Sequence, residues 1–334
     1  IEAKKGSVKG GDYYVTSSDK IENQGSMRFL AGYIQDEITL AGGGVHIQLG
    51  LRFDHVRFYD GFFEADGSDV DDFSVYNGSL EENTWSTFSP RAGVRLNPSR
   101  FASGYVSYGR GFRASILDDL SRSGWMWVGP KIANPELGPE IVDNIEAGLD
   151  LRPHWRWRIS PTAYYSKGKD FLYYVATGDR LWGVRDIYRR ENVSGVRLYG
   201  MELDVLYVPT DDITLNVAYS VHRSEIRSFP ERPTLEGSRL TYSPERMVHA
   251  SLQWENALID SGLRFLYTGK QYADEENTVE IDDYVTVDLM FSRQIAHGAS
   301  LSLEIMNVFN NTYMENQFYL SPGRLVTVSV GYSW

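Results

Sequence analysis

Two stretches of the chain combine tryptophan or tyrosine with arginine, a combination that binds flat, anionic molecules by stacking and by paired hydrogen bonds. The first stretch is SRSGWMWVGPKIANPE and the second is GDRLWGVRDIYRREN. A ligand of this chemistry would be an aromatic anion such as an iron chelate, held by a few polar groups in an otherwise apolar site. A further arginine, Arg113, lies just upstream of the first stretch. The candidate ligand-binding residues are therefore Arg113, Trp125, Trp127, Trp182, Arg185, Tyr188 and Arg190.

Two acidic stretches raise a second possibility, a calcium site. The stretch EADGSDVDDF carries the candidate ligands Asp66, Asp69, Asp71 and Asp72, and ADEENTVEIDD near residue 280 is similarly acidic. Clustered carboxylates suit calcium. Neither stretch has the spacing of an EF-hand loop, and solvated acidic loops are the alternative explanation.

No arrangement of residues points to catalysis, a cofactor or nucleic-acid binding. The six histidines are scattered without the spacing of a metalloprotease motif, and GGG at 42–44 lacks the lysine and helix of a phosphate loop. Cysteine is absent, which excludes thiolate metal sites and disulfides. The net charge of -12 argues against a surface for phosphate backbones. We therefore expect a protein that is not an enzyme and has no cofactor.

The elements that position these residues are strands. Segments such as VHIQLGLRF, ITLNVAYS and LVTVSVGY alternate apolar and polar residues, the period of a β-strand. Short links rich in turn-forming residues alternate with long polar links at 59–83, 114–138, 176–186, 229–243, 274–282 and 310–322. This asymmetry predicts an antiparallel meander with tight turns at one rim and large loops at the other, as in transmembrane β-barrels. We count thirteen clear strands; GDYYVTS is a weaker fourteenth, and residues 1–20 are either that strand or a linker.

The two faces of these strands predict where the lipid lies. Tyrosine and tryptophan recur near strand ends, as in the aromatic girdles of membrane barrels. The opposite faces carry charges such as Arg52, Glu146 and Asp204, which are costly beside lipid and tolerable beside water. We therefore expect apolar faces outward, in an outer membrane. In that setting the loop arginines have an alternative role against lipopolysaccharide phosphates or acidic loops, and the tryptophans one in the girdle.

Five stretches, in order, resemble the barrel domain of TonB-dependent outer-membrane receptors. They are WSTFSPRAGVRLNP (85–98), YVSYGRGFRASILDDL (105–120), NPELGPEIVDNIEAGLDL (134–151), ENVSGVRLYGMELD (191–204) and the segment from residue 304 to the C-terminus. The third is the most specific, with the typical spacing of Asn134, Pro135, Leu137, Pro139, Glu140, Glu146 and Gly148. Ser115 stands where the family usually has proline.

The resemblance implies a function as well as a fold. It implies that residues 1–334 form an all-β domain, part of a barrel of about 22 strands, in a receptor that imports a scarce nutrient such as an iron–siderophore complex. In that family an N-terminal plug couples the barrel to the TonB complex, and neither plug nor TonB box is found in this sequence. The alternatives are a passive porin of about fourteen strands and a scaffold for adhesion or phage binding.

Overall fold

The computed structural model describes residues 2–9, 12–67, 71–126, 129–296 and 298–332. Its strands are β1 Glu2–Lys9, β2 Asp12–Leu40, β3 Val45–Asp66, β4 Gly78–Ser79, β5 Asn83–Ser99, β6 Ala102–Arg113, β7 Gly124–Met126, β8 Gly129–Ile132, β9 Glu140–Leu151, β10 Trp157–Leu181, β11 Arg185–Thr210, β12 Ile213–Ser228, β13 Arg246–Trp254, β14 Asp260–Thr268, β15 Gln271–Tyr272, β16 Glu280–Ile281, β17 Tyr284–Ala296, β18 Ala299–Met306, β19 Met314–Asn316, β20 Tyr319–Leu320 and β21 Leu325–Tyr332. One short helix, α1, covers Leu117–Ser121. Three 3-10 turns lie at Ala41–Gly43, Asp71–Tyr76 and Pro233–Leu235.

Within the described residues, fourteen strands form one antiparallel meander in chain order, β1, β2, β3, β5, β6, β9, β10, β11, β12, β13, β14, β17, β18 and β21. The predicted all-β antiparallel fold is thereby confirmed. Residues 12–17 of the GDYYVTS segment lie inside β2, and the first strand is β1, upstream of it. The strands differ greatly in length: β2 has 29 residues and β10 has 25, whereas β13 and β14 have nine each.

The links between the wall strands follow the predicted alternation. The short links at 41–44, 100–101, 152–156, 211–212 and 255–259 lie at one rim, and the long links at 67–82, 114–139, 229–245, 269–283 and 307–324 lie at the other. The predicted loop 176–186 is wrong, because β10 and β11 continue into it and are joined by residues 182–184 alone. The polar residues there form a hairpin: Arg180 and Asp186 pair across it at 2.9 Å, and Leu181 and Ile187 are buried.

The wall exposes its apolar side chains on the outside, as predicted. Val217 and Tyr219 on β12 and Ile145 and Leu149 on β9 are exposed, whereas the alternate residues of these stretches are partly or fully buried. The inner face carries charged side chains instead: on β3, Arg52 points inward and donates hydrogen bonds of 2.8 and 2.7 Å to Asp54. Such a face suits water or a polar partner, and the outer face suits lipid. Among the described residues, no helix is both long and apolar enough to cross a membrane.

The buried apolar clusters lie beneath the long links rather than in the wall. One joins Phe63, Ala65, Phe73, Ile132, Leu181 and Ile187, a second joins Phe58, Leu120, Leu137 and Leu172, and a third joins Ile226, Phe229 and Leu235. Each cluster combines residues from the extended ends of wall strands with residues from a link. Burial of these side chains therefore fixes the links onto the strand extensions, each large side chain contributing about 1.5–3 kcal/mol.

Candidate functional site

A cavity of about 1440 Å³ opens at the long-link rim. The upper parts of β6, β9, β10 and β11 form one side of it, and the links 229–245, 269–283 and 307–324 form the other. Aromatic side chains dominate its lining, among them Phe112, Tyr173, Tyr174, Tyr188, Phe318 and Tyr319. Three arginines, Arg113, Arg190 and Arg232, also line it. The cavity thus combines stacking surfaces with guanidinium groups.

Of the three cavity arginines, Arg190 on β11 is the one that makes no hydrogen bond to a carboxylate of the described residues. Its guanidinium carbon lies 4.0 Å from the ring centroid of Tyr174, a cation–π arrangement. Nη1 donates to the backbone carbonyl of Leu172 at 2.7 Å. Nε lies 3.6 Å from Asp119 Oδ1 and has no hydrogen-bond partner in the described part of the chain. The side chain is therefore fixed in place, with Nε enclosed beside Asp119, and its remaining Nη hydrogens have no hydrogen-bond partner among the described residues and can bind an anionic oxygen.

The other two arginines are already paired with carboxylates. Arg113, at the end of β6, donates to Glu140, whose second oxygen accepts the backbone N–H of Leu172 at 2.9 Å. Arg232 lies 3.0 Å from Glu275 and also contacts Glu276, so it joins the link 229–245 to the link 269–283. These pairs shape the cavity and leave its net charge near neutral.

Two titratable groups in the cavity are shifted toward their neutral forms. Burial raises the pKa of the Glu275 carboxyl, and the nearby Arg232 opposes that shift without cancelling it. Burial, reinforced by the charges of Glu275 and Glu140, raises the pKa of Tyr173 above the ordinary tyrosine value. The Tyr173 hydroxyl therefore remains protonated at neutral pH and can donate a hydrogen bond to a ligand oxygen.

The predicted binding residues divide into two places. Arg113, Tyr188 and Arg190 line the cavity. Trp125, Trp182 and Arg185 gather instead at the tip of the β10–β11 hairpin, and the cavity lining over the described residues does not include them. Trp127 lies outside the described residues.

The second cluster is built on a tight turn. Trp182 and Gly183 both have positive φ, 51° and 69°, and Val184 N–H bonds to the Leu181 carbonyl at 3.1 Å, as in a type I′ hairpin turn. The turn places the indole of Trp182 5.5 Å from that of Trp125, and Arg185 lies 5.5 Å from the Trp125 ring. Trp182 is 54% exposed. This cluster is a protruding surface, whereas the first is a cavity.

A buried lysine joins two parts of the link 114–139 to each other beside the cavity. Lys131 is fully buried, and its ammonium donates to the Asp118 carbonyl at 2.8 Å, to Asp118 Oδ2 at 3.1 Å and to Asp119 Oδ1 at 3.0 Å. Its strand, β8, pairs in parallel with β11 through Tyr188 and Arg189. Burial acts to raise the pKa of Asp118, but hydrogen bonds from Arg122 and Lys131 outweigh it and hold that pKa below its ordinary value.

The acidic stretches contain other interactions. Asp72 accepts the backbone N–H of Trp182 at 3.1 Å, Asp66 is exposed, and Asp69 lies outside the described residues. In the second stretch, Asp274 accepts the backbone N–H groups of Thr278 and Val279. Over the part of the chain that the structure describes, no three acidic or histidine side chains are grouped as metal ligands. Calcium binding by Asp66, Asp69, Asp71 and Asp72 remains a prediction.

Several cavity residues escaped the sequence analysis. They are Tyr173, Arg232, Glu275, Phe318 and Tyr319. One signal was available: an arginine in one long link and two adjacent glutamates in the next are complementary charges on loops of the same rim. The aromatic residues carried no such signal, because tyrosine and phenylalanine are frequent throughout the chain.

Comparison with known proteins identifies the family. The profile described as TonB dependent receptor-like, beta-barrel, matches residues 5–308. The chain belongs to this family of outer-membrane receptors, and the strands described above are part of its barrel.

The individual relatives are distant in sequence and close in fold. A ferrioxamine receptor of Yersinia enterocolitica is 22% identical over 98% of this chain, and a hemin receptor of the same species is 23% identical over 93%. The siderophore receptor PiuA from Acinetobacter baumannii is a solved structure with a TM-score of 0.72 at 17% identity, matched over 96% of this chain. The matches cover 43%, 45% and 44% of those proteins, so the chain spans a little under half of their length.

Proposed function

We propose that this chain is barrel wall and ligand-binding rim of a TonB-dependent receptor that imports a bulky, scarce nutrient, with iron chelates as the leading ligand class. The cavity around Arg190 carries the proposal. Its volume of about 1440 Å³ exceeds the roughly 300–1,000 Å³ of ordinary small-molecule sites. The names of the relatives, receptors for ferrioxamine and hemin, are consistent with ligands of that size.

The lining suggests how such a ligand would be held. Tyr174 and Tyr188 offer aromatic faces, Arg190 offers N–H groups to an anionic oxygen, and Tyr173 offers a neutral hydroxyl. The paired carboxylates of Glu140 and Glu275 limit the attraction for small inorganic anions. A large ligand with both aromatic and oxygen-rich surfaces fits this lining better than a purely aromatic ligand or a purely oxygen-rich one.

The proposed energy source is the TonB complex, acting through a plug in the lumen as the family resemblance implies. The inward faces of the wall would then contact that plug. Arg52 with Asp54, and Asp150 with Arg152 and Arg158, are the charged groups that the wall presents there. These charged groups would pair with polar groups of the plug and would not bind the nutrient.

Binding measurements on two arginine variants test the site. The probes are ferrioxamine B, hemin and cyanocobalamin, added to the purified receptor in detergent. Arg190→Gln should weaken binding of the accepted probe about tenfold or more, the loss expected for a charged hydrogen bond. Arg185→Gln is the matched control, since it removes the same group from the same strand outside the cavity, and it should change affinity less than twofold.

The reverse pattern would overturn the assignment. If Arg185→Gln abolishes binding and Arg190→Gln does not, the ligand binds the Trp125–Trp182 cluster and the cavity is not the site. Binding of none of the probes would contradict the proposed ligand class. Thermal unfolding of both variants, followed by circular dichroism, separates a lost contact from a lost fold.

A further inference from the structure

Two neighbouring turns at the short-link rim share an unusual composition. In the turn between β5 and β6, the guanidinium of Arg100 lies 4.7 Å from the ring centroid of Phe101. In the turn between β9 and β10, that of Arg156 lies 4.4 Å from the ring of Trp155. Phe101 is 50% exposed and Trp155 is 72% exposed. Each turn therefore displays an aromatic ring with a cation stacked on it.

The two turns lie side by side. Strands β6 and β9 are paired, with Ala102 opposite Leu151, and the Arg152 N–H donates to the Phe101 carbonyl at 2.7 Å. Within the described residues, Arg100 and Arg156 have no carboxylate partner. The inward-facing Arg152 and Arg158, in contrast, both pair with Asp150, at 3.2 and 3.0 Å. Two unneutralised cations thus lie on adjacent turns of the rim.

This positive charge is local, because the chain as a whole carries a net charge of -12. The next turns along the same rim are acidic: Asp211 and Asp212 lie between β11 and β12, and Glu255 and Asp260 flank the turn between β13 and β14. The short-link rim is therefore divided into a basic arc and an acidic arc. A negatively charged surface is attracted to the first and repelled by the second.

The basic arc also lies at the depth of the lipid headgroups. The apolar outer face of the wall, including Val94, Val106 and Leu149, continues down to these turns. Trp157 and Tyr207 stack on that face beside the rim, with ring centroids 3.9 Å apart, at the level where interfacial aromatics lie. Short turns of outer-membrane barrels face the periplasm, where the leaflet consists of glycerophospholipids.

We propose that the turns at 97–102 and 151–157 bind the phosphate headgroup of an anionic glycerophospholipid of the periplasmic leaflet. Arg100 and Arg156 donate hydrogen bonds to the phosphate oxygens, because guanidinium groups match phosphate geometry. Phe101 and Trp155 insert at the boundary between headgroups and acyl chains. This surface is separate from the cavity at the opposite rim, so the proposal does not depend on the ligand that the receptor imports.

Native mass spectrometry of the purified receptor tests the proposal, with palmitoyl-oleoyl phosphatidylglycerol as the probe and the phosphatidylcholine of the same chains as the neutral comparison. The wild-type protein should retain phosphatidylglycerol at least tenfold more tightly than phosphatidylcholine. Arg100→Gln with Arg156→Gln should weaken phosphatidylglycerol binding about twenty-five-fold, roughly five-fold for each arginine removed near an anionic surface. Arg100→Lys with Arg156→Lys keeps both charges and should retain most of the binding.

The control removes the same charge from the opposite rim. Arg57→Gln with Arg324→Gln changes two exposed arginines near the long links and should leave phosphatidylglycerol binding within twofold of wild type. Equal affinity for the two lipids, or equal losses in the test and control pairs, would overturn the proposal. A third result would also overturn it: the Arg100→Gln, Arg156→Gln variant binds lipid as the wild type does but no longer retains an acidic periplasmic protein in pull-downs. Heat-modified migration in gels confirms that each variant is folded.

Discussion

Replacing Lys131 with methionine should loosen the link 114–139 while leaving the wall intact. The methionine keeps the length of the side chain and removes the ammonium, which makes hydrogen bonds of 2.8, 3.1 and 3.0 Å to Asp118 and Asp119. Asp119 would remain buried, with Arg190 at 3.6 Å as its remaining cationic partner among the described residues. Removing one partner of a buried ion pair costs about 3–5 kcal/mol.

Hydrogen exchange measures this cost directly. Reporter amides lie within the link: Asn134 N–H bonds to the Asp119 carbonyl at 3.0 Å, and Arg122 N–H bonds to the Asp118 carbonyl at 3.3 Å. A local loss of about 3 kcal/mol raises the exchange rate of such amides by about two orders of magnitude. Amides in the wall strands should exchange as in the wild type, except on β11 near Tyr188 and Arg189, where the strand pairs with β8 of the link.

A surface ion pair provides the control. Lys270 is half exposed and pairs with Glu280 at 2.6 Å, so Lys270→Met should cost about 1 kcal/mol at most. In the double variant Lys131→Met, Asp119→Asn, the unpaired charge is removed and part of the protection should return. Equal exchange in the Lys131→Met and Lys270→Met proteins would show that the buried lysine does not hold the link and would refute the reasoning.

Two further predictions concern pH and the membrane face. The pKa of Asp118 is lower in the folded protein than its ordinary value, near 3.8. The stabilising effect of the Asp118 carboxylate is therefore complete above that ordinary value and is lost as the pH falls through the lower folded value. Protease cleavage of the link 114–139 should increase only in strong acid, and increased cleavage at pH 6 would contradict this. Val217→Arg places a cation on the lipid-facing side of β12 and should cost about 2–4 kcal/mol near the midplane. Ala218→Arg, opposite Asp204 on the inner side, should cost far less in urea unfolding in lipid vesicles, and equal costs would show that the faces are assigned wrongly.

The wall was predictable because its pattern is local. In LVTVSVGY, each side chain faces either lipid or the lumen according to its position alone, and the structure places β21 there. The same reasoning placed the rims, since link length and turn residues are visible in the sequence. The hairpin at residues 176–186 was missed because its strands lie above the membrane, where polar residues replace the apolar face. The burial of Leu181 and Ile187 in a cluster with Phe63 depends on packing between distant segments.

The candidate site was predictable only in part for the same reason. The described aromatic and arginine candidates lie at the long-link rim, yet four residues of β11 separate Arg185, on the protruding cluster, from Arg190, in the cavity. The link 114–139 packs between these two places, through the parallel pairing of β8 with β11 and the burial of Lys131, and neither contact is visible in the sequence. Lysine is rarely buried completely, so nothing in the sequence distinguished this one from a solvated loop residue.

The unequal strand lengths have a consequence for how a large molecule reaches the receptor. A strand of about ten residues spans the membrane, so β10, with 25 residues, continues for about 50 Å along its own direction beyond that span. Strands β13 and β14, with nine residues each, end near the membrane surface. Within this chain, the β10–β11 hairpin therefore projects far above the short strands β13 and β14. If a nutrient binds in the cavity as proposed, we expect the hairpin to obstruct its approach from one side and the short strands to leave the approach open, so the direction of approach is selected before any side chain has made contact.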